Sequence, residues 1–251
     1  MSSYPGPLLE QVVVPGGKVR VFARLAGVEQ RAYEQAVASV LPRIERGLLP
    51  GVLANRAAPS GALRGFSAER STWRRELTAA LRWSATLPGG AVASGDVQDC
   101  YPSISPDVVA ARLAALGVDP APVVGVLERF AHEGGRGLPV GPWPSAVLAN
   151  AVLADADRRA RAAGARVLRW VDDVVLVAPD RAHAARALDA WVRGLAVLGL
   201  TPHEGKTAIR SSEEAWDSLS TDGRPFVTLS PGKGLTRADA HGYRPRAHSP
   251  R

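Results

Sequence analysis

Apolar residues recur at a spacing of three to four positions over six segments, and this spacing predicts amphipathic helices. The segments are approximately 29–46, 68–87, 105–116, 120–132, 144–163 and 180–198. Short apolar or alternating runs at 18–22, 91–97 and 166–177 predict strands, and the last run predicts a hairpin. Pro42 lies inside the first helical segment and predicts a kink or a split there. The periodicity fades after about residue 210, so we expect 211–251 to be partly mobile.

The order of these elements predicts an α+β fold. Between 91 and about 210 the chain reads as a strand, helices, a hairpin, a helix and a further short strand, which is the split β-α-β pattern of a ferredoxin-like sheet. The turn signal Pro88-Gly89-Gly90 separates this part from the segments before it. Because such a fold hosts many chemistries, the function must be inferred from particular residues.

Three aspartates at the ends of apolar runs are the strongest chemical signal. Asp172 and Asp173 stand between the two halves of the predicted hairpin, where we expect them to be the central residues of the turn, although Asp-Asp suits that position poorly. Two such charges about 4 Å apart repel by about 1 kcal/mol in water and about 4 kcal/mol in a partly buried site. Asp96 ends the strand that a ferredoxin-like sheet places beside the hairpin, so the three carboxylates can share magnesium or manganese. The alternative is a solvated turn that carries two aspartates.

Composition narrows the class of protein. Hydrophobic residues make up 46% of the chain, which is enough to build a core. The single cysteine, Cys100, excludes an internal disulfide and a cysteine-based zinc site. Apolar runs are too short for a membrane span, and the N-terminus lacks the pattern of a secretory signal. We therefore expect a cytoplasmic protein with no membrane partner.

The charge balance favours a polyanionic partner. Lys and Arg number 31 against 24 Asp and Glu, which gives a net charge of +7. Arginine supplies nearly all of these cations, and its fork of donors suits bidentate contacts with phosphate. An arginine-rich composition also follows from a GC-rich genome, so the charge alone does not identify a function.

Five short segments carry motifs beyond this periodicity. They are VPGGKVRVFARLAGVEQRAYEQAV (14–37), SGDVQDCYPSISP (94–106), GLPVGPWPSAVLANAVL (137–153), RWVDDVVLVA (169–178) and LGLTPHEGKTAI (198–209). In this order they resemble the motifs of bacterial reverse transcriptases: a basic strand with a helix, an aspartate followed by an aromatic, a Gly-Leu-Pro loop with a helix, an aromatic-x-Asp-Asp hairpin and a Lys-Thr segment. Each motif is weak alone, but five in order form a specific signal.

The resemblance implies roles for the acidic residues and for one lysine. Asp96 and Asp172 would be the principal metal ligands, and Asp173 would be a third carboxylate at the same site. The backbone carbonyl of Val97 would add a further ligand. Lys206 would act near the pyrophosphate as an acid or a counter-charge, although an exposed lysine is an equally good reading. The expected cofactor is a pair of Mg²⁺ ions, with Mn²⁺ as a substitute.

The resemblance also implies a nucleotide-binding set. Lys18 and Arg20 on the basic strand would hold the incoming triphosphate. Tyr101 would be the steric gate that excludes a 2′-hydroxyl and so favours deoxynucleoside triphosphates. Gly141 and Ser145 would pack against the template and the nascent base pair. Without the resemblance, these residues read as strand cations, a core tyrosine and ordinary turn or helix residues.

The implied architecture is that of a right-hand polymerase without a recognisable thumb. We expect a fingers region at 1–90, a palm with a ferredoxin-like sheet at 91–210 and a short C-terminal extension at 211–251, in which 223–235 reads as a residual hairpin. A homo-oligomer, a partner protein or a structured RNA would supply the missing grip, or processivity would be low. Trp170 replaces the usual Tyr or Phe, and Val140 stands where many relatives have Gln, which weakens any inference about template discrimination.

The implied activity is RNA-directed DNA polymerisation, with an RNA template, a DNA primer and product, and a setting in phage defence or a domesticated retroelement. Two alternatives stay open. One is a polymerase that works without a template or primes from a protein hydroxyl. The other is a catalytically idle palm that only binds nucleic acid, although an idle protein has no reason to keep three repelling carboxylates together.

Overall fold

The computed structural model describes residues 8–13, 19–25, 27–58 and 66–220. The strands within them are β1 (Leu8–Val13), β2 (Val19–Arg24), β3 (Ala91–Gly95), β4 (Arg166–Trp170), β5 (Asp173–Ala178) and β6 (Ala208–Ser211). The α-helices are α1 (Gly27–Arg46), α2 (Phe66–Ala85), α3 (Cys100–Ser103), α4 (Pro106–Ala115), α5 (Ala121–His132), α6 (Trp143–Ala162), α7 (Arg181–Val197) and α8 (Ser212–Ser220). None of these helices combines the length and the apolarity that crossing a bilayer requires.

The larger sheet has the order β4-β5-β3-β6, and all neighbouring strands are antiparallel. Taken with the helices between the strands, this is the ferredoxin-like arrangement, and it confirms the α+β prediction. The register pairs Gly95 with Val174, so the end of β3 lies beside the start of β5. That adjacency brings the residues that follow β3 next to the β4–β5 turn.

Helices cover both faces of this sheet. Helices α6 and α7 contribute to the core on one face, where Trp191 is fully buried. Helix α2 and the start of α8 cover the other face, where Trp73 and Trp170 pack with their rings 5.8 Å apart. Every residue of β5 is buried, because this strand has covered faces on both sides. This burial explains why its sequence reads as a continuous apolar run.

The two-stranded sheet β1–β2 and helix α1 form the N-terminal part of the fold. Helix α1 packs against α5 and α6, and its buried stripe includes Tyr33, Val37 and Ile44. The backbone N–H of Ala23 in β2 donates to the carbonyl of Val140, 2.9 Å away. The small sheet is therefore fastened to the loop that precedes α6.

Several local expectations were wrong. Helix α1 is one element that contains Pro42, so the helix does not split there, and the alternative of a kink at Pro42 stays a prediction. Strand β1 was not predicted, because its pattern is weak and its backbone is satisfied by pairing with β2. Helix α8 was not predicted either; it occupies the start of the segment 211–251, and Ala215 anchors it in the core beside α2. The predicted hairpin at 223–235 lies outside the described residues.

Candidate active site

The three predicted carboxylates converge at one end of the sheet. Asp96 follows β3 directly, Asp172 lies in the β4–β5 turn, and Asp173 is the first residue of β5. Each offers an oxygen, and these three oxygens lie within 4.8 Å of one another. Asp96 and Asp173 are each only 4% exposed, whereas Asp172 is half-buried. The structure therefore brings the three aspartates together, as the sequence predicts.

The hairpin turn differs from the prediction by one residue. Trp170 pairs with Asp173, so the central residues of the turn are Val171 and Asp172 rather than the two aspartates. Val171 has a φ of 57°, which is costly for a β-branched side chain. Local pattern could not reveal this shift, because hydrogen bonds along the paired strands set the register. The strain predicted for an aspartate thus falls on a valine.

Lys206 supplies a positive charge to the acidic cluster. Its Nζ lies 2.6 Å from Oδ2 of Asp96 and 4.0 Å from Oδ1 of Asp173. Partial burial acts to lower the pKa of Lys206, but the ion pair with Asp96 and the charge of Asp173 outweigh this and raise it. The ammonium therefore stays protonated at neutral pH. The site therefore brings three carboxylates and one ammonium together.

The site fits a divalent cation. All three side chains are oxygen donors, the ligand type that Mg²⁺ and Mn²⁺ prefer. Oδ1 of Asp96 is buried and has no hydrogen-bond partner among the described residues. Two backbone hydrogen bonds hold the segment that follows β3. Gln98 N–H donates to Thr201 O at 2.9 Å, and His203 N–H donates to Asp96 O at 2.8 Å. Neither bond uses the carbonyl of Val97, and its role as a ligand stays a prediction.

Tyr101 lies beside this cluster on the short helix α3. Burial raises the pKa of its hydroxyl, and the nearby carboxylate of Asp172 contributes in the same direction. Its backbone carbonyl accepts a hydrogen bond from Leu138 N–H at 2.8 Å. Gly137 has a φ of 61°, and a Cβ there would stand 2.5 Å from the same carbonyl, so only glycine fits. The Gly-Leu-Pro loop is therefore locked onto the backbone of Tyr101.

Gly141 lies where the loop meets the small sheet. A Cβ at this position would stand 3.4 Å from the carbonyl of Ala23 and 3.7 Å from the ring of Phe22, and its φ is 122°. Phe22 is buried beside Gly141, and its motif gave no sign of this contact. Arg20 is on the same strand, but its side chain and all of Lys18 lie outside the described residues. The roles proposed for both cations stay predictions.

Ser145 lies in the interior rather than at a surface. It is fully buried, and its hydroxyl is 3.1 Å from the hydroxyl of Tyr33 on α1. This bond fastens α6 to α1 beneath the loop. The structure shows this contact between the two helices, and the packing of Ser145 against the template and nascent base pair stays a prediction.

Sequence reasoning missed a buried arginine behind the turn. Arg169 in β4 is 0% exposed, and its Nε is 2.8 Å from Oδ2 of Asp157 in α6. Its Nη1 donates to Oδ1 of Asn150 at 2.8 Å and to the carbonyl of Val171 at 2.6 Å. Burial raises the pKa of Asp157, and the guanidinium of Arg169 opposes that rise. The available signal was an arginine inside a run of buried strand residues.

Comparisons with known proteins agree with this architecture. A family model for reverse transcriptase (RNA-dependent DNA polymerase) matches residues 15–222. The chain is similar to the solved structure of apo telomerase from Candida tropicalis, with a TM-score of 0.53 and 11% identity over 83% of this chain and 45% of that chain. It is also similar to telomerase from Candida albicans in complex with a TWJ fragment of telomeric RNA, with a TM-score of 0.50 and 15% identity over 84% of this chain and 43% of that chain.

These comparisons differ in what they establish. At such low identity the two telomerase structures show a shared fold only, and this chain spans less than half of either of them. The comparison with curated proteins finds no match. The family model spans most of the chain and includes all three clustered aspartates.

Proposed function

The chain belongs to the reverse transcriptase (RNA-dependent DNA polymerase) family, and from this premise we propose that it extends a DNA primer on an RNA template with deoxynucleoside triphosphates. The observation that carries the proposal is the meeting of Asp96, Asp172 and Asp173 at one end of the palm sheet. Buried carboxylates at this spacing repel one another unless a cation is bound between them. A polymerase needs such a site, because nucleotidyl transfer depends mainly on positioning and charge neutralisation.

The acidic cluster would hold the metal ions. Asp96 and Asp172 would be the principal ligands, with Asp173 and the carbonyl of Val97 completing the set. Two Mg²⁺ ions, or Mn²⁺ in their place, would supply activation of the primer hydroxyl and charge neutralisation at the leaving pyrophosphate. The ammonium of Lys206, 2.6 Å from Asp96, is close enough to serve as a counter-charge for the pyrophosphate.

The loop and the small sheet would bind the nucleotide. The carbonyl of Tyr101 is bonded to the Gly-Leu-Pro loop, and this bond would hold the ring of the steric gate against the sugar. The absence of a side chain at Gly141 would leave room for the base pair next to β2. On the same strand, Arg20, with Lys18 before it, would contact the triphosphate.

The template and primer would lie against a basic surface. The net charge of +7 supports a nucleic-acid partner, and exposed arginines on α2 offer phosphate contacts, namely Arg74, Arg75 and Arg82. A homo-oligomer, a partner protein or a structured RNA would provide the grip of a thumb. The division into fingers at 1–90 and palm at 91–210, and a setting in phage defence or a domesticated retroelement, stay predictions.

Primer extension tests the proposal directly. The protein would be given a labelled DNA primer on a homopolymer RNA template, on the matching DNA template, or without a template, with Mg²⁺ or Mn²⁺ in each case. We expect extension on RNA with deoxynucleotides and none from the Asp172→Asn variant. Extension without a template would overturn RNA-directed synthesis in favour of an untemplated polymerase. Binding without extension under every condition would overturn catalysis.

A further inference from the structure

One fully buried guanidinium contacts the turn that carries the acidic residues. Arg169 is 0% exposed, and its side chain joins β4 to two parts of the fold: to α6 through Asp157 and Asn150, and to the turn through the carbonyl of Val171. Its own backbone is held as well, because its N–H donates to Gly51 O at 2.8 Å and its carbonyl accepts from Leu53 N–H at 2.9 Å. The arginine is thus fixed at both its backbone and its tip.

Stability alone does not explain a buried ion pair at this position. Removing two charges from water is costly, and apolar residues of similar volume are often as stable or more so. The volume between β4 and α6 could therefore be filled without charge. An apolar residue could not donate a hydrogen bond to the carbonyl of Val171. That contact is the part of the network that only a long, multiply donating side chain supplies.

The contacted carbonyl belongs to a residue in a strained conformation. Val171 has a φ of 57°, a conformation that a β-branched side chain keeps only when its surroundings enforce it. The 2.6 Å bond from Arg169 fixes the peptide group between Val171 and Asp172. Asn150 anchors the other end of the network, because its Nδ2 donates to Ala54 O at 2.9 Å. Helix α6 therefore fixes the orientation of the peptide group before Asp172, because the guanidinium of Arg169 bonds both to α6 and to that peptide group.

We propose that Arg169 is a positioning residue that holds the turn so that Asp172 and Asp173 reach the same ion as Asp96. This inference rests on the metal site of the proposed function. It assigns to the Arg169–Asp157–Asn150 network the orientation of the ligands, and not the binding of metal or nucleotide. Contacts that orient ligands in this way commonly change metal affinity by tenfold or more when they are removed.

Two variants separate positioning from folding. In the Arg169→Met/Asp157→Asn double variant the buried charges leave together, so the fold should survive while the donor to Val171 is lost. In Arg169→Lys the pairing with Asp157 can persist, but one ammonium cannot also serve Asn150 and the turn. The control is Arg112→Met/Asp155→Asn, which removes the ion pairs that Asp155 on α6 makes with Arg112 on α4 and with Arg158, away from the turn.

The measurement is the thermal midpoint of each full-length protein as a function of Mg²⁺, with Mn²⁺ as a second probe. We expect metal-free midpoints close to wild type, and a metal concentration at half of the thermal shift about tenfold higher in both Arg169 variants. The control pair should leave that concentration unchanged. An unchanged concentration in a folded Arg169 variant, an equal change in the control, or loss of folding in both variants would overturn the proposal.

Failure of this inference differs from failure of the proposed function. Metal-dependent stabilisation of the wild-type protein needs no template, primer or turnover. A wild-type protein that responds to Mg²⁺ without extending a primer would refute the polymerase and still test Arg169. A protein that extends primers while its Arg169 variants keep wild-type metal dependence would refute only the positioning role.

Discussion

Replacement of Asp172 by Asn should stabilise the metal-free protein and weaken its response to Mg²⁺. The substitution keeps the size of the side chain in a half-buried turn position and removes one of three clustered negative charges. Two repulsive interactions, with Asp96 and Asp173, disappear. One attractive interaction with Lys206 disappears as well, since the charge of Asp172 contributes to raising the pKa of that lysine.

The magnitude follows from the spacing of the oxygens. Charges at the outer limit of 4.8 Å interact by about 1 kcal/mol in water and about 3 kcal/mol at an effective dielectric constant of 20. The variant loses two repulsions and one attraction of similar size, which is a net loss of about one repulsive interaction. The free energy of unfolding of metal-free Asp172→Asn should therefore rise by about 1–3 kcal/mol. For a domain of this size that corresponds to a rise of roughly 2–10 °C in the thermal midpoint.

Thermal unfolding in chelator and in Mg²⁺ provides the assay. At about one hundred times its dissociation constant, bound Mg²⁺ should stabilise the wild-type protein by about 3 kcal/mol and the variant by clearly less. Asp99→Asn is the matched control, because Asp99 is exposed, lies outside the cluster and has a φ of 45° that asparagine tolerates. A metal-free variant less stable than wild type, or one with an equal response to Mg²⁺, would show that the aspartates are a structural feature of the turn.

Three further predictions concern the loop, the gate and a helix start. Tyr101→Ala should raise incorporation of ribonucleotides relative to deoxynucleotides in primer extension, and unchanged selectivity would remove the gate assignment. Gly137→Ala should lower the free energy of unfolding, measured by chemical denaturation, by about 1–3 kcal/mol. Gly134→Ala should lower it by less, because both glycines have positive φ but only Gly137 lies against backbone atoms. Asp180→Ala should lower the thermal midpoint at neutral pH, because hydrogen bonds from His183 lower the pKa of Asp180. That loss should vanish as the pH falls through this lowered pKa, and a loss independent of pH would contradict the capping role.

The elements of the four-stranded sheet and its helices could be predicted well because their signals are local. Strand β5 is buried on both faces, so it reads as an uninterrupted apolar run. Helix α4 begins with Ser105 as a cap, whose side chain accepts a hydrogen bond from Val108 N–H, and with proline in the first turn, as its sequence predicts. Such features depend on residues within one turn or one strand. They therefore survive without knowledge of the rest of the fold.

Elements that depend on distant partners were predicted poorly. Strand β1 exists as the partner of β2, and the start of α8 is held by Ser212, whose hydroxyl lies 2.5 Å from that of Ser84 in α2. The hydroxyl of Ser145 lies 3.1 Å from that of Tyr33 in the α1–α6 interface, a contact that the motif did not indicate. The periodicity of the sequence does not predict which helix a given hydroxyl contacts, because that contact depends on how distant elements pack.

The residue types needed for metal chemistry, and their placement at the ends of apolar strands, can be read directly from the chain, because side-chain alternation and turn signals are local. The pairing of β3 with β5 decided whether Asp96 meets the hairpin, since hydrogen bonds between strands far apart in sequence set that distance. The pairing of β4 with β5 moved the turn by one residue and placed Val171 in a strained conformation beside a buried arginine. The contact between Arg169 and the turn depends on tertiary packing, because a charged side chain is stable in a core only where other elements supply its hydrogen-bond and ion-pair partners.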